Sequence, residues 1–297
     1  MQLEWTVAAE ENDLMLRTFL RNKHVSKLLL TAVKFAEDGR IQVNGNEENV
    51  LYRVKTGDYV QITFPKEQEN ERLLAEFGDL AIVFEDDFIL VLDKPAGMTS
   101  IPSQYHPSGS VANHVKGHYQ QNGIDSAIHI VTRLDKETSG LMLIAKTRFS
   151  HGRLSELHQT GHVTRKYQAL VSGNMTSKSG SIIAPIGRNP DSLIERAVVQ
   201  DGKYAKTNYE VIASYPTFDH VNIQLETGRT HQIRVHFSHI GHPLVGDSMY
   251  GGPLELLQRH ALHSSHLELI HPFTEEKMAW GSELAQDLAQ VLEIGKE

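Results

Sequence analysis

Val131-Thr132-Arg133-Leu134-Asp135-Lys136-Glu137-Thr138-Ser139-Gly140 is the stretch on which the reading of this chain turns. Apolar residues precede it (Ala127, Ile128, Ile130, Val131) and follow it (Leu141 to Ala145), and both runs read as buried strands. Between them a short polar loop carries a cation, Arg133, and a carboxylate, Asp135. In an extended loop, side chains two apart share a side, so both would face the same space. A loop wedged between core strands is where a rigid scaffold presents reactive groups. It is also where a satisfied surface ion pair would sit, and these ten residues alone leave both readings open.

Three further segments decide between them. Asp93-Lys94-Pro95-Ala96-Gly97-Met98-Thr99-Ser100 follows the strand-like Phe88–Leu92, and Arg165-Lys166-Tyr167-Gln168-Ala169-Leu170-Val171 comes a helix's length after the Asp135 loop. Thr227-Gly228-Arg229-Thr230-His231-Gln232-Ile233-Arg234-Val235-His236 follows, with Ala261-Leu262-His263 and His271-Pro272 near the end. In this order the set closely resembles the RluA-type pseudouridine synthases, which isomerise uridine to pseudouridine in structured RNA. The resemblance runs from about Ile82 to Phe273.

The whole chain is compatible with that. Its 297 residues suit one large domain and a small one, and 40% hydrophobic content supports a sizeable core. No run of 18 apolar residues is present, and Met1-Gln2-Leu3-Glu4-Trp5 lacks the charged and apolar regions of a signal peptide. With no cysteine, thiolate chemistry and disulfides are excluded. We expect a soluble, cytoplasmic monomer that makes no membrane contact.

A net charge of −8 looks wrong for an RNA enzyme, because phosphate contacts dominate nucleic-acid affinity. The distribution answers part of this. Residues 17–40 carry Arg17, Arg21, Lys23, Lys27, Lys34 and Arg40 against Glu37 and Asp38, a net of +4. Residues 133–166 are also +4, whereas 66–87 are −6 and 275–297 are −4. Such asymmetry fits a focused binding face, and equally a set of solvated helix faces.

Residues 14–65 read as a compact unit. Leu16, Phe19 and Leu20 have helical spacing, and a second helix is expected from Ser26 as N-cap through Leu29, Leu30 and Val33 to Gly39. Asn44-Gly45 is a hairpin signal, and a strand is expected at Tyr59–Phe64. Gly39-Arg40-Ile41-Gln42-Val43-Asn44-Gly45 followed by Gly57-Asp58 resembles the S4 RNA-binding domain. That resemblance implies RNA contacts from Arg17, Arg21, Lys23, Lys27 and Lys34; a small cap shielding the rest is the other reading. His24 and Val25 depart from the pattern, which often has glycine and a small residue there.

The expected division is an S4-like domain over 1–65, a charged linker over 66–76, and a catalytic domain over 77–297. Strands are expected near 88–93, 126–131, 141–146, 164–172, 205–214, 221–227 and 267–270, an α+β pattern. The resemblance implies the pseudouridine-synthase fold, with a cleft across a large mixed, mainly antiparallel sheet.

Pseudouridine formation breaks the N-glycosidic bond, turns the uracil and joins its C5 to the same sugar carbon, without oxidant, metal, cofactor or cosubstrate. A carboxylate can attack the anomeric carbon or take a sugar proton, and the resemblance gives this part to Asp135, leaving both routes open. Glycoside hydrolysis asks instead for paired carboxylates. The motifs offer one acid, with Glu137 next nearest, which favours isomerisation.

A carboxylate inside an RNA-lined pocket needs a cationic partner, and the motif assigns this to Arg234. Its helix is expected to start with Thr230 as N-cap and to end at Gly241 and Pro243, with Ile233, Phe237 and Ile240 as an apolar stripe. The resemblance implies that Tyr167 stacks on the flipped base, as flipped bases are usually read, and could mediate proton transfer from C5. The motif puts Arg133 in the same catalytic group, and Arg133 and Arg229 are also suited to the RNA backbone or to the displaced base's former neighbours. Leu134, Arg229, His231, Gln232 and Lys166 would surround the substrate, with Arg165 and Lys166 flanking Tyr167 or turned to the strand's other face as phosphate contacts. The family habit favours 23S ribosomal RNA as partner, with transfer RNA a second option.

Histidines raise a competing idea. His239 with His242, and His260, His263 and His266, repeat at the three-residue spacing of ligands on one helix face. No carboxylate completes a familiar zinc signature, so no metal is expected. Asp93–Gly97 has too few glycines for a P-loop and is expected to be a tight turn beneath the active site. Two further classes stay as rivals: a non-catalytic RNA-binding or ribosome-assembly factor, and a histidine-ligated metallohydrolase.

Overall fold

The computed structural model describes residues 1–67, 70–104, 106–192 and 194–296. Near the N-terminus, β1 (Gln2–Thr6) is followed by α1 (Leu16–Asn22), α2 (Lys27–Phe35), β2 (Arg40–Val43), β3 (Asn46–Glu47) and β4 (Tyr59–Thr63). These strands form one sheet in the order β1-β4-β2-β3. Asn44 and Gly45 both take positive φ, 51° and 83°, at the β2–β3 turn, as a hairpin of that type requires. Ser26 caps α2 by accepting from the Leu29 amide at 3.2 Å. The helix stops at Phe35, short of the expected Gly39, because Ala36 is extended. Gly39 has another use: a Cβ there would lie 2.2 Å from the Val33 carbonyl oxygen, so only glycine lets the chain turn back so closely.

The large sheet is built from β5 (Ile82–Glu85), β6 (Ile89–Lys94), β7 (His129–Ile130), β8 (Ser139–Ala145), β9 (Val163–Ser172) and β10 (Ser179–Ile183), and from four later strands. A separate hairpin, β11 (Ile186–Arg188) with β12 (Arg196–Val198), stands apart from it. The sheet then continues with β13 (Lys206–Ser214), β14 (Phe218–Leu225), β15 (Leu262–Ile270) and β16 (Lys277–Gly281). Its path runs β10-β13-β14-β9-β15-β8-β6-β5, with β16 on β15 and β7 on β8. All pairings are antiparallel except β8 with β15. Gly140, φ +107°, permits that contact, since a Cβ there would meet the Ser264 carbonyl oxygen at 2.3 Å. Of the expected strand over 126–131, only His129 and Ile130 pair.

Helices α3 (Val111–Gln121), α4 (Arg148–Gln159), α5 (Gln232–His239) and α6 (Gln286–Ile294) complete the fold. β8 is buried at every position, so its continuous apolar run fits a strand covered on both faces. None of the helices is long and apolar enough to cross a membrane.

The segment expected to be a linker is packed rather than free, with Gln68 and Glu69 outside the described residues. Glu67 accepts from the Arg148 amide at 2.7 Å and meets His129 Nε2 at 2.7 Å. Burial alone would raise the Glu67 carboxyl, but these partners hold it below its ordinary range. At the other end, Glu76 takes the Gly109 amide, and Gly117 of α3 lets its backbone approach. Helix α4 also joins the N-terminal unit: its Phe149 is buried in the N-terminal apolar core, 6.0 Å from the Phe64 ring. His24, at φ 62°, reaches Glu275 at 3.3 Å and Glu156 at 3.8 Å, so the glycine-like position carries a contact between the two units.

Candidate active site

Asp135 sits in the loop between β7 and β8, and the backbone around it is fastened residue by residue. Ser100 Oγ donates to the Leu134 carbonyl at 2.7 Å and accepts the Leu134 amide at 3.0 Å. Lys94, fully buried, donates its ammonium to the carbonyls of Pro95, Met98 and Lys136 at 2.8, 2.7 and 3.0 Å. Burial pushes the Lys94 ammonium down to about 8, with Arg259 adding to the fall and Glu137 and Asp135 opposing it. Gly97, φ +85°, gives its amide to the same Lys136 carbonyl at 2.9 Å. The Asp93–Gly97 segment is thus a turn that supports the Asp135 loop from beneath. From the other side, Arg259 Nη1 donates to the Glu137 carbonyl at 2.8 Å and Thr138 Oγ1 lies 2.8 Å from His260 Nε2.

Arg234, on α5, is buried and directs Nη1 to Asp135 Oδ2 at 3.3 Å. Its Nε and Nη2 donate to Asp247 at 2.7 and 2.8 Å, and its guanidinium lies 4.9 Å from the centre of the Tyr250 ring. Burial opposes the Arg234 charge, but these carboxylates more than offset it and raise its pKa. His231 Nδ1 contacts Tyr250 Oη at 2.8 Å, and its Nε2 is 3.8 Å from Asp135. Burial, with the Arg234 and Arg196 charges, lowers the His231 pKa against the pull of Asp135.

Asp135, His231 and Arg234 line a narrow cleft of about 80 Å³ with Arg133, Leu134, Arg165, Tyr167, Leu225, Ile233 and Leu262. Tyr167 of β9 is buried, and Arg133 is exposed at the mouth on the same side as Asp135. Aliphatic walls, an aromatic ring and one carboxylate–guanidinium pair make a slot suited to a planar, weakly polar ring joined to a polar sugar.

Two expected placements are corrected. Thr230 does not cap α5; the cap position is His231, in the left-handed region at φ 57° with no side-chain bond. The turn is closed instead by Gln232, whose Oε1 accepts from the Arg229 amide and Thr227 Oγ1 at 2.9 and 2.8 Å. Gln232 lines the cleft, with its amide held in place as Nε2 donates to the Lys206 carbonyl and Thr207 Oγ1, both at 3.0 Å. Lys166 is exposed and alternates with Tyr167, so it leaves the cleft; Arg165, two residues before Tyr167, lines it. Leu134 and Arg229 do line the cleft, Arg229 with its Nε on the Tyr204 carbonyl at 3.0 Å.

Asp247, Tyr250, Arg196 and Arg259 escaped the sequence reading. A signal existed for the first: Arg234 lies beside an apolar stripe, and a buried guanidinium has more donors than one carboxylate can take. The histidines serve as polar ties: His263 lies between Ser139 Oγ and Ser282 Oγ at 3.0 and 3.1 Å, and His242 Nδ1 bonds the Ser172 carbonyl at 2.8 Å. Among the described residues, no group of three or more His, Asp or Glu is arranged to hold a metal ion.

Comparison with known proteins gives a consistent result. The family model described as RNA pseudouridylate synthase matches residues 88–239. An uncharacterized RNA pseudouridine synthase of Bacillus subtilis, YjbO, is 49% identical over 268 residues, covering 90% of this chain and 94% of its own. The ribosomal large subunit pseudouridine synthase D of Pseudomonas aeruginosa is 41% identical over 273 residues, covering 87% and 84%. In fold, the solved structure of human RNA pseudouridylate synthase domain containing 4 superposes with a TM-score of 0.60 at 22% identity, over 73% of this chain and 93% of that one. A cleft with one carboxylate–arginine pair on a large antiparallel sheet and these similarities lead to one conclusion: the chain belongs to the RNA pseudouridylate synthase family.

Proposed function

We propose that this protein isomerises specific uridines to pseudouridine in large-subunit ribosomal RNA, with Asp135 as the catalytic carboxylate. The observation that carries the reading is the cleft itself: among its described lining residues Asp135 is the only acid, and Arg234 stands 3.3 Å from it. A glycosidase needs a second carboxylate about 5–9.5 Å away to activate water or to protonate the leaving group. The ribosomal target is supported by the large-subunit enzyme of Pseudomonas aeruginosa at 41% identity.

The reaction is redox-neutral. The bond from C1′ to N1 of the uracil breaks, with the electron pair going to N1, the ring turns within the slot, and C1′ bonds to C5. The C5 proton is then lost and N1 gains one, so the product is an isomer with no net proton exchanged. An Asp135 oxygen serves either as nucleophile at C1′ or as base toward the sugar, and both routes use a carboxylate facing the ribose. Arg234 balances that carboxylate, and the Tyr167 ring supports the uracil while it turns. The aliphatic walls keep water from capturing the sugar.

The N-terminal unit is proposed to hold RNA as an S4-like domain. Arg17, Arg21, Lys27 and Lys34 are exposed on its helices, whereas Lys23 is spent on Glu11 at 2.8 Å. The test of the catalytic reading is Asp135→Asn, an isosteric change that removes nucleophile and base together. Pseudouridine formation should vanish while circular dichroism and RNA affinity stay near those of the parent. Turnover within tenfold of the parent would exclude Asp135 from the chemistry.

A further inference from the structure

Continuous with the catalytic slot, with which it shares Arg133, Asp135, Arg165 and Arg229 in its wall, lies a larger cavity of about 560 Å³ whose lining has an unusual charge balance. Arg133, Lys136, Arg165, Arg196 and Arg229 contribute to its wall, and among its described lining residues Asp135 is the only acid. Arg133 and Arg165 have no carboxylate partner among the described residues, and the hydrogen bond of Arg229 uses Nε alone. Gly228 leaves room for the Arg165 guanidinium, since a Cβ there would meet Arg165 Nη2 at 3.0 Å.

Arg196 is the informative member. It opens β12, in the hairpin outside the main sheet, and its amide donates to Tyr250 Oη at 2.9 Å. Tyr250 is the ring under Arg234, so the hairpin is tied to the catalytic cluster. Arg196 Nη1 is buried with no hydrogen-bond partner. A buried charged donor left unpaired is costly, and such a group calls for a ligand. Arg188 stands directly opposite Arg196 in the β11–β12 register, a like-charge pair that disfavours the hairpin until an anion joins it.

Resting on the RNA-isomerase reading above, we propose that the β11–β12 hairpin is part of the RNA-binding machinery. Arg196, with Arg165 and Arg133, holds a backbone phosphodiester next to the flipped uridine. A guanidinium suits this by its fork of donors, and three of them around one cavity favour an anionic occupant over a cationic one. The catalytic slot takes the base, and this cavity takes the anion that travels with it.

The test uses the full-length protein and an RNA hairpin that the parent modifies. Arg196→Gln should weaken binding about tenfold, the loss of one charge-assisted contact. It should lower the slope of log affinity against log salt by about 0.7. Arg196→Lys should recover most of the slope. Should Arg196→Gln fold poorly by its melting curve, Arg188→Gln, at an exposed position, should still reduce the slope. Unchanged slope and affinity in the folded variant overturn the proposal, and the parent's turnover on the same RNA then shows the isomerase reading intact. A parent that forms no pseudouridine on any ribosomal RNA fragment, yet loses salt slope with Arg196→Gln, keeps the phosphate site and fails the activity.

Discussion

Asp247 accepts both Nε–H and Nη2–H of Arg234, at 2.7 and 2.8 Å, and so aims the one remaining nitrogen, Nη1, at Asp135. Asp247 is 1% exposed, in a turn fixed by Gly246, whose missing Cβ avoids the Arg259 carbonyl oxygen at 1.9 Å. Asp135, the carboxylate proposed for the chemistry, is therefore positioned through its partner by a residue that never faces the cleft.

Asp247→Asn should lower the single-turnover rate by about 100-fold, the scale of a misplacement near 1 Å, while RNA affinity changes little. Asp247→Ala should in addition destabilise the fold by about 3–5 kcal/mol, because a buried guanidinium loses its main partner. Rate and affinity measured on the same RNA separate the two effects. A rate within threefold of the parent in Asp247→Asn would mean that Arg234 holds its aim unaided.

Parts of this were legible in the sequence, for physical reasons that can be named. Leu141–Ala145 and the alternation around Val221, Ile223 and Leu225 gave strands because period and burial are local properties. Ser26 and Asn44-Gly45 gave their cap and turn because those motifs are closed within a few residues. That Arg234 wants a second carboxylate follows from its place beside an apolar stripe, but that Asp247 supplies it was not legible, since the two lie thirteen residues apart on different elements. The Thr230 cap failed because Gln232 closes the same turn through two bonds and ties it to β13 through two more. The acidic segment after residue 65 looked like a linker because its carboxylates find their partners on α3, α4 and β7, which the local sequence does not show.

Arg259 and Asp287 repeat the design at the far side of the loop. Asp287, in the first turn of α6, takes Nε and Nη2 of Arg259 at 2.6 and 2.8 Å, leaving Nη1 for the Glu137 carbonyl. Asp287→Ala should cost about 1–3 kcal/mol for the buried donors left unpaired and lower the rate without changing the RNA salt slope. Asp287→Glu should restore part of both. A rate equal to the parent's in a folded Asp287→Ala variant would show that Arg259 needs no anchor.

Acid should destabilise the protein before its carboxylates titrate. Burial holds His260 down to about 2, with Arg234 and Arg259 reinforcing it, and burial also lowers His220, His236 and His263. An unfolded histidine binds a proton below about 6.5, whereas folded His260 does not. The unfolded state thus holds more protons, and stability falls as pH drops below that value. His260 alone should contribute about 2–3 kcal/mol of loss between pH 6.5 and 4.5, at about 1.4 kcal/mol per unit. His260→Gln keeps a polar group for Thr138 and should flatten this part of the curve in urea unfolding. Parallel curves for parent and variant would show that His260 takes up its proton in the folded state.

Removing residues 1–65 should separate RNA affinity from chemistry, at a cost in stability set by the contact of Phe149 of α4 with the N-terminal core. Arg17, Arg21, Lys27 and Lys34 are the exposed cations lost with the helices. At about 0.7 per phosphate on single strands, the salt slope should fall by roughly two to three units. The cut also uncovers Phe149, now 4% exposed, together with part of Phe88. Exposing one such ring costs about 1.5–3 kcal/mol, so the truncated protein should fold with a lower melting temperature. Phe149→Ser in the truncated protein should recover solubility without altering the rate. Asp135, Arg234 and Tyr167 all lie outside the removed unit and keep their partners, so turnover at saturating RNA should fall much less than affinity. An unchanged salt slope would make the N-terminal sheet a structural cap over Phe149, and RNA would then be held by the arginines around the catalytic cleft.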